Sequence, residues 1–93
     1  MRVTLVRGDC DDKPICPAIW RTDRDTGLVQ GWATDRPDTV EVPIGLLEGT
    51  TITGIVTDHG TVLVRGEPVT DAEALAMMDI PERESAVELP VAV

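Results

Sequence analysis

The sequence predicts a small, mainly β domain, built as a barrel or sandwich from two tandem hairpin-plus-strand repeats with one short α-helix. Three observations predict this fold: segment 19–31 returns as 54–66, β-rich runs alternate with polar turns, and one segment carries strong helix signals. Six residues of the repeated segment match at one offset, as Thr22 matches Thr57. Unrelated sequences would give roughly one match, so we infer an internal duplication.

Length and composition predict one domain, residues 1–93, in which both repeats share a core. The chain has 93 residues and 42% apolar residues, which is enough for a core without a metal or disulfide. The repeats span about 18–49 and 53–93. No apolar run has the length of a membrane span, and the first residues lack the features of a signal peptide. We therefore expect a cytoplasmic location.

The first elements are a strand and two hairpins. Alternation predicts a strand at 2–7, with Val3 and Leu5 on one face. Each repeat then has two β-rich runs around a polar turn, at 23–25 and at 58–60. Asp and Gly favour such turns, because Asp bonds the backbone ahead of it and Gly accepts positive φ.

The copies differ after their hairpins. The sequence Thr-Asp-Ala-Glu at 70–73 is a capping box and predicts a helix over about 71–79, which ends before Pro81. The first copy has Pro37 at the corresponding place and too few residues for a helix, so we expect a turn there.

Each copy closes with a strand that ends at a proline. The echoed sequences Val-Glu-Val-Pro and Val-Glu-Leu-Pro predict strands at 39–42 and 86–89. In the first copy, residues 44–49 then predict one helical turn with Gly49 beyond its end.

The charge excludes one class of function and favours another. Seventeen acidic residues against eight basic ones give a net charge of −9. Nucleic-acid affinity depends largely on Lys and Arg that displace counterions, so we expect no direct nucleic-acid binding. An acidic surface instead favours a basic protein partner.

The chain assembles no catalytic or metal motif. His59, the only histidine, lies at a hairpin turn, and the only serine, Ser85, lies in a polar loop, so we predict no enzyme activity. The loop from Cys10 to Cys16 is rich in Asp but lacks the spacing of a calcium loop and a second ligand pair for zinc. We expect no cofactor, and a small-molecule or metal-binding module using this loop remains an alternative.

The two tryptophans have different expected environments. Trp20 aligns with Ile55 and is expected in the core, whereas Trp32 aligns with Glu67. An exposed Trp32 would be a natural anchor for a partner, and a Trp32 that covers the space of the missing helix is equally compatible with the sequence.

Four Thr-Asp pairs recur in the chain, and turns and helix caps explain them. We therefore expect a partner-binding surface at the positions where the two copies differ, and not at the positions where they agree. The candidate partner-binding residues at these differences are Trp32, Asp35, Asp38, Glu67 and Asp71.

Two resemblances bear on function. Residues 70–89, with Leu75, Met78 and Ile80 before a Val-Glu strand, resemble the second half of the AbrB/MazE swapped-hairpin family of DNA-binding proteins and antitoxins. The basic DNA-reading residues of that family have no counterpart here. Cys-Pro-Ala-Ile at 16–19 and Leu28 to Trp32 resemble small acidic actinobacterial proteins that accompany helix-turn-helix regulators, which implies a regulatory or antitoxin-like role.

These observations predict a non-catalytic, acidic module that docks a basic protein, such as a DNA-binding regulator or a toxin. An alternative is a DNA mimic, whose carboxylates would form one stripe and occupy the groove of a DNA-binding protein. A homodimer is also compatible with the sequence, because a free sheet edge could pair with its copy.

Overall fold

A computed structural model describes residues 1–8 and 17–91 and contains eight strands, one α-helix and one short 3₁₀-helix. The mainly β fold with one short helix is therefore confirmed. In chain order the elements are β1 (Val3–Gly8), β2 (Ala18–Thr22), β3 (Gly27–Ala33), β4 (Thr39–Pro43), the 3₁₀-helix (Ile44–Leu47), β5 (Ile55–Val56), β6 (Thr61–Arg65), β7 (Glu67–Pro68), α1 (Ala72–Met78) and β8 (Glu84–Leu89).

All described strands belong to one antiparallel sheet. The main path runs β1-β2-β3-β4-β6-β5, and β8 joins it by pairing with both β3 and β7. Among the described residues the path ends at β1 and at β5, so the sheet is not closed. The strands form an open sheet and not a closed barrel, with the main core on one side and a smaller cluster on the other.

The two copies exchange strands. The hairpin of the first copy, β2–β3, pairs with β8 of the second, and the hairpin of the second copy, β5–β6, pairs with β4 of the first. The register is the same in both exchanges, since Leu28 lies opposite Glu88 as Leu63 lies opposite Glu41. Each hairpin therefore completes its sheet with a strand from the other copy.

Two equivalent glycines allow a strand to change partners. Beyond Gly31, β3 pairs with β4, and beyond Gly66 the chain enters β7, which pairs with β8. A Cβ on Gly31 would lie 2.6 Å from the carbonyl oxygen of Glu41, and a Cβ on Gly66 would lie 2.6 Å from that of Glu88. At these two glycines, which we call the crossings, the neighbouring backbone is too close for any side chain.

Most of the core lies on one side of the sheet. A single cluster of aliphatic side chains joins strands of both copies to the 3₁₀-helix and the residues after it; its fully buried members are Ile19, Val29, Val40, Val42, Val64 and Val87. A second, smaller cluster lies on the other side of the sheet, between α1, β1 and the first hairpin, and contains Val3, Leu28, Ala74, Met78 and Ala86.

Some local expectations need correction. Val3 and Leu5 share one face of β1, as expected, since they lie opposite Thr22 and Trp20. Val3 is buried but Leu5 is 54% exposed, because only the start of this edge strand lies over the second cluster. The helix is capped by Asp71 and not by Thr70, and it ends at Asp79 with a left-handed φ of 50°. Ser85 lies within β8, which begins two residues earlier than predicted.

Alanine substitutions at the two crossings test the exchange of partners. We expect Gly31→Ala and Gly66→Ala each to lower the free energy of unfolding by about 1–3 kcal/mol, because backbone atoms must move apart. Gly45→Ala is the matched control, since a Cβ there meets nothing within 4 Å. Urea denaturation of the three variants measures the difference, and equal stability of all three would contradict the close crossings.

Candidate functional site

Strand pairing aligns two equivalent rows of side chains on the side of the sheet away from the main core. Residues directly opposite on antiparallel strands point to the same side. One row crosses β2, β3, β8 and β7, and its counterpart crosses β5, β6, β4 and β3. We call them the covered row, made of Trp20, Leu28, Glu88 and Glu67, and the open row, made of Ile55, Leu63, Glu41 and Trp32.

The covered row is sealed by two elements, β1 and α1, that have no second copy among the described residues. Leu28 is fully buried and packs in the second cluster with Val3 of β1 and with Ala74 and Met78 of α1. Trp20 packs against the edge of the same cluster. Strand β1 and helix α1 therefore act together as a lid on the first hairpin.

The open row lacks this lid among the described residues. Ile55 is 71% exposed, Trp32 is 39% exposed, and Leu63 and Glu41 between them are half-buried. The segment equivalent to α1 is the short turn that contains Pro37, and no strand among the described ones takes the place of β1 beside β5. The alignment of Trp20 with Ile55 thus pairs a packed residue with an exposed one, and Ile55 is not a core residue.

The glutamate in each row is held by a chain of threonine hydroxyls. Thr61 donates to Glu41 across 2.6 Å, and the hydroxyls of Thr57 and Thr61 are 2.6 Å apart. Since the proton of Thr61 is used for Glu41, the bond between the two threonines must be donated by Thr57. The first copy has the same chain with the same two distances, through Thr22, Thr26 and Glu88.

The two glutamates differ in their charged neighbours. Glu88 lies 3.4 Å from the guanidinium of Arg24. The residue equivalent to Arg24 is His59, and its Nε2 lies 3.2 Å from Asp58 and not beside Glu41. In the part of the chain that the structure describes, Glu41 therefore has no cationic partner, and the open row carries a fixed negative charge between apolar side chains.

The five residues expected to bind a partner do not converge. Trp32 belongs to the open row and Glu67 ends the covered row, where it is exposed. Asp35 is exposed in the turn after β3. Asp38 accepts from Thr39 and pairs with Arg65 at 3.0 Å, and these contacts, led by the Thr39 hydroxyl, lower its pKa.

Asp71 is used within the fold. Its carboxylate accepts from the backbone N–H of Ala74 at 2.9 Å and lies 3.4 Å from the amino group of Met1. The bond from Ala74, followed by the amino group, lowers the pKa of Asp71. This residue joins α1 to the N-terminus within the lid, and its side chain remains 36% exposed.

A buried polar network lies beside Trp32. The indole N–H of Trp20 donates to Gln30 at 3.0 Å, and the amide of Gln30 donates to Glu84 at 3.0 Å. Glu84 is opposite Trp32 on β8 and only 8% exposed, and burial raises its pKa despite the bond from Gln30. The network joins β2 and β8 across β3, on the same side of the sheet as the two rows.

The remaining predicted features lie in turns or outside the described residues. In three Thr-Asp pairs the threonine hydroxyl accepts a hydrogen bond from the backbone N–H two residues ahead, which belongs to Arg24, Arg36 or His59. In the turn at 58–60 Asp58 was expected to accept this bond, but Thr57 accepts it. The loop from Cys10 to Cys16 lies outside the described residues. Residues 1–8 and 17–91 contain no group of three His, Cys, Asp or Glu arranged for a metal, and none of their helices could cross a membrane.

Comparisons with protein-family models, with curated proteins and with solved structures find no match to this chain.

Sequence reasoning missed three members of the open row: Ile55, Leu63 and Glu41. A signal for Leu63 and Glu41 was present, because both belong to echoed segments whose other copies are Leu28 and Glu88. Their contact depends on the exchange of strands between the copies, which the sequence repeat alone does not reveal.

The raised pKa of Glu84 predicts an unusual dependence of stability on pH. Because the folded state favours the protonated form, Glu84 stabilises the fold below its ordinary pKa of 4.5, and this contribution is lost as pH rises through the raised value. We expect Glu84→Gln to raise the midpoint of thermal unfolding at pH 7 and to have little effect at pH 4. Circular dichroism at several pH values measures this.

Glu82→Gln is the control for Glu84→Gln, since Glu82 is exposed and lies in the preceding turn. An equal effect of both substitutions, or an effect of Glu84→Gln that does not change with pH, would contradict the argument from burial.

Proposed function

We propose that this chain is a non-catalytic, acidic protein-binding module of the cytoplasm that docks a basic protein through the open row. The observation that carries the proposal is the contrast between equivalent rows. The covered row has its apolar members packed under β1 and α1, whereas the open row presents Ile55 and Trp32 to solvent. An apolar row of this kind is what a partner covers in an interface.

The chemistry of the open row fits a basic partner. Trp is enriched among the residues that contribute most to binding, because it buries a large rigid surface. Glu41 lies between Trp32 and Leu63, is fixed by Thr61 and has no cationic neighbour among the described residues. An Arg or Lys of the partner would supply that charge, and the net charge of −9 would speed its approach.

The carboxylates favour this docking mode over DNA mimicry. Within the described sheet, Glu67 and Glu88 are the only acidic residues directly opposite each other. Other exposed acids lie on separate turns, as at Asp25, Glu48 and Glu82. A phosphate-like stripe needs a longer aligned series. A regulatory or antitoxin-like role is the form of partner binding that the sequence resemblances imply.

Affinity capture from the native cell lysate, followed by titration of the captured protein, tests the proposal. We expect a basic protein whose affinity falls with added salt. Trp32→Ala should weaken binding about tenfold or more, since an interface anchor is removed. Ile55→Lys should weaken it similarly, by placing a cation in the row.

Leu5→Lys is the matched control, because Leu5 is also an exposed apolar residue of an edge strand but lies outside the open row. The proposal fails if no basic protein is recovered, if capture does not depend on salt, or if Leu5→Lys weakens binding as much as Ile55→Lys.

A further inference from the structure

Among the described residues, strand β5 has a free edge at the position where its counterpart β2 is covered by β1. In the first copy β1 pairs along β2, with Thr4 opposite Arg21 and Leu5 opposite Trp20. The counterparts of Arg21 and Trp20 are Val56 and Ile55, which form β5. Among the described residues, β5 pairs with β6 alone. In the described part of the chain, the strand position beside β2 is therefore occupied by β1, and the equivalent position beside β5 is empty.

The backbone of β5 presents hydrogen-bonding groups at this edge. The N–H of Thr57 donates to the carbonyl of Thr61 in β6 across 2.9 Å. Backbone groups of successive strand residues point in opposite directions, so those of Val56 point away from β6. In the first copy the groups at the equivalent side bind β1, as when the N–H of Asp23 donates to Arg2 across 3.1 Å. Val56 and Asp58 therefore offer the pairing that Arg21 and Asp23 already use.

An apolar cleft adjoins the same edge. It has a volume of about 510 Å³, and Val56 forms part of its wall together with Ile44, Leu47, Ile52 and Val62. A strand paired with β5 would direct the side chain opposite Val56 to the same side as Val56, which is the side of the cleft. The cleft can therefore accept one apolar side chain from an added strand.

The charge around the edge selects a basic segment. Asp58, two residues after β5, is 91% exposed, and Glu48 is the only charged residue among the described residues that line the cleft. The strand that fills the equivalent position, β1, and the residue before it contain Arg2 and Arg7 and no acidic residue. Arg7 also shows how an arginine is bound nearby, since its guanidinium donates to the carbonyl of Glu48 across 2.6 Å.

We propose that β5 receives an extended basic segment of the partner as an additional antiparallel strand, with an apolar side chain opposite Val56 in the cleft. Strand addition at a free sheet edge combines backbone hydrogen bonds with a pocket for alternate side chains. The inference deepens the proposed function by stating how the basic partner binds, and its test needs no captured partner.

Two synthetic peptides with blocked ends test this site directly. The first has the sequence of residues 2–7, Arg-Val-Thr-Leu-Val-Arg, and the second replaces its Thr with Leu. We expect both to shift the backbone amide resonances of Val56 and Asp58 and to slow their hydrogen exchange. The Leu peptide should bind about tenfold more tightly, because its added side chain fills the cleft.

Val56→Lys should weaken binding of both peptides about tenfold or more, since a lysine at a strand edge opposes pairing and repels the peptide. Leu5→Lys should leave both affinities unchanged, and circular dichroism checks that each variant is folded.

The inference is overturned if the peptides do not bind, if the shifts lie along β2 through displacement of β1, or if Val56→Lys binds normally. Protection of β5 that depends on protein concentration without peptide would assign the edge to a second copy and would also overturn it.

The two proposals can fail separately. Loss of partner binding in Trp32→Ala but not in Val56→Lys, together with no peptide binding, rejects strand addition and retains docking at the open row. Peptide binding at β5 without any basic protein captured from the lysate supports the strand site and rejects the proposed function.

Discussion

The exchange of strands between the two copies is the constraint on which the rest of the fold depends. Because β8 pairs with β3 and β4 pairs with β6, the aliphatic side chains of both copies lie in one core. The exchange also brings each hairpin threonine chain to a glutamate of the other copy. The glycine crossings at Gly31 and Gly66 exist because each strand must leave one partner and join another. Neither row of outer side chains would exist without this pairing.

The sequence predicted what local chemistry decides. The helix followed from the capping box at 70–73 and the proline after it, although Asp71 and not Thr70 is the cap. The hairpins followed from β-rich runs around turns at Asp23 and Asp58. Even here the details differ, since Thr57 bonds the backbone where Asp58 was expected to do so. Threonine and aspartate both accept such bonds, and the choice between them depends on the geometry of each turn.

The candidate site could not be predicted in the same way. Ile55 is an apolar residue in a β-rich run, and it is exposed because neither a strand nor a helix covers it among the described residues. Asp71 and Asp38 were expected on a partner surface, but contacts distant in sequence, to Met1 and to Arg65, engage them within the fold. Both outcomes depend on contacts between residues distant in sequence. Aligning the repeats shows which residues are equivalent, but it does not show which residues touch.

The lid formed by β1 and α1 has a consequence for the origin of the protein. Two identical chains that exchanged strands in this way would form a symmetric homodimer, and its two rows would necessarily be alike, both covered or both bare. Joining the copies in one polypeptide removes that requirement. One half can then use its helix to stabilise the fold while the other keeps its row exposed. Covalent linkage therefore separates two selection pressures that a homodimer must satisfy with a single sequence.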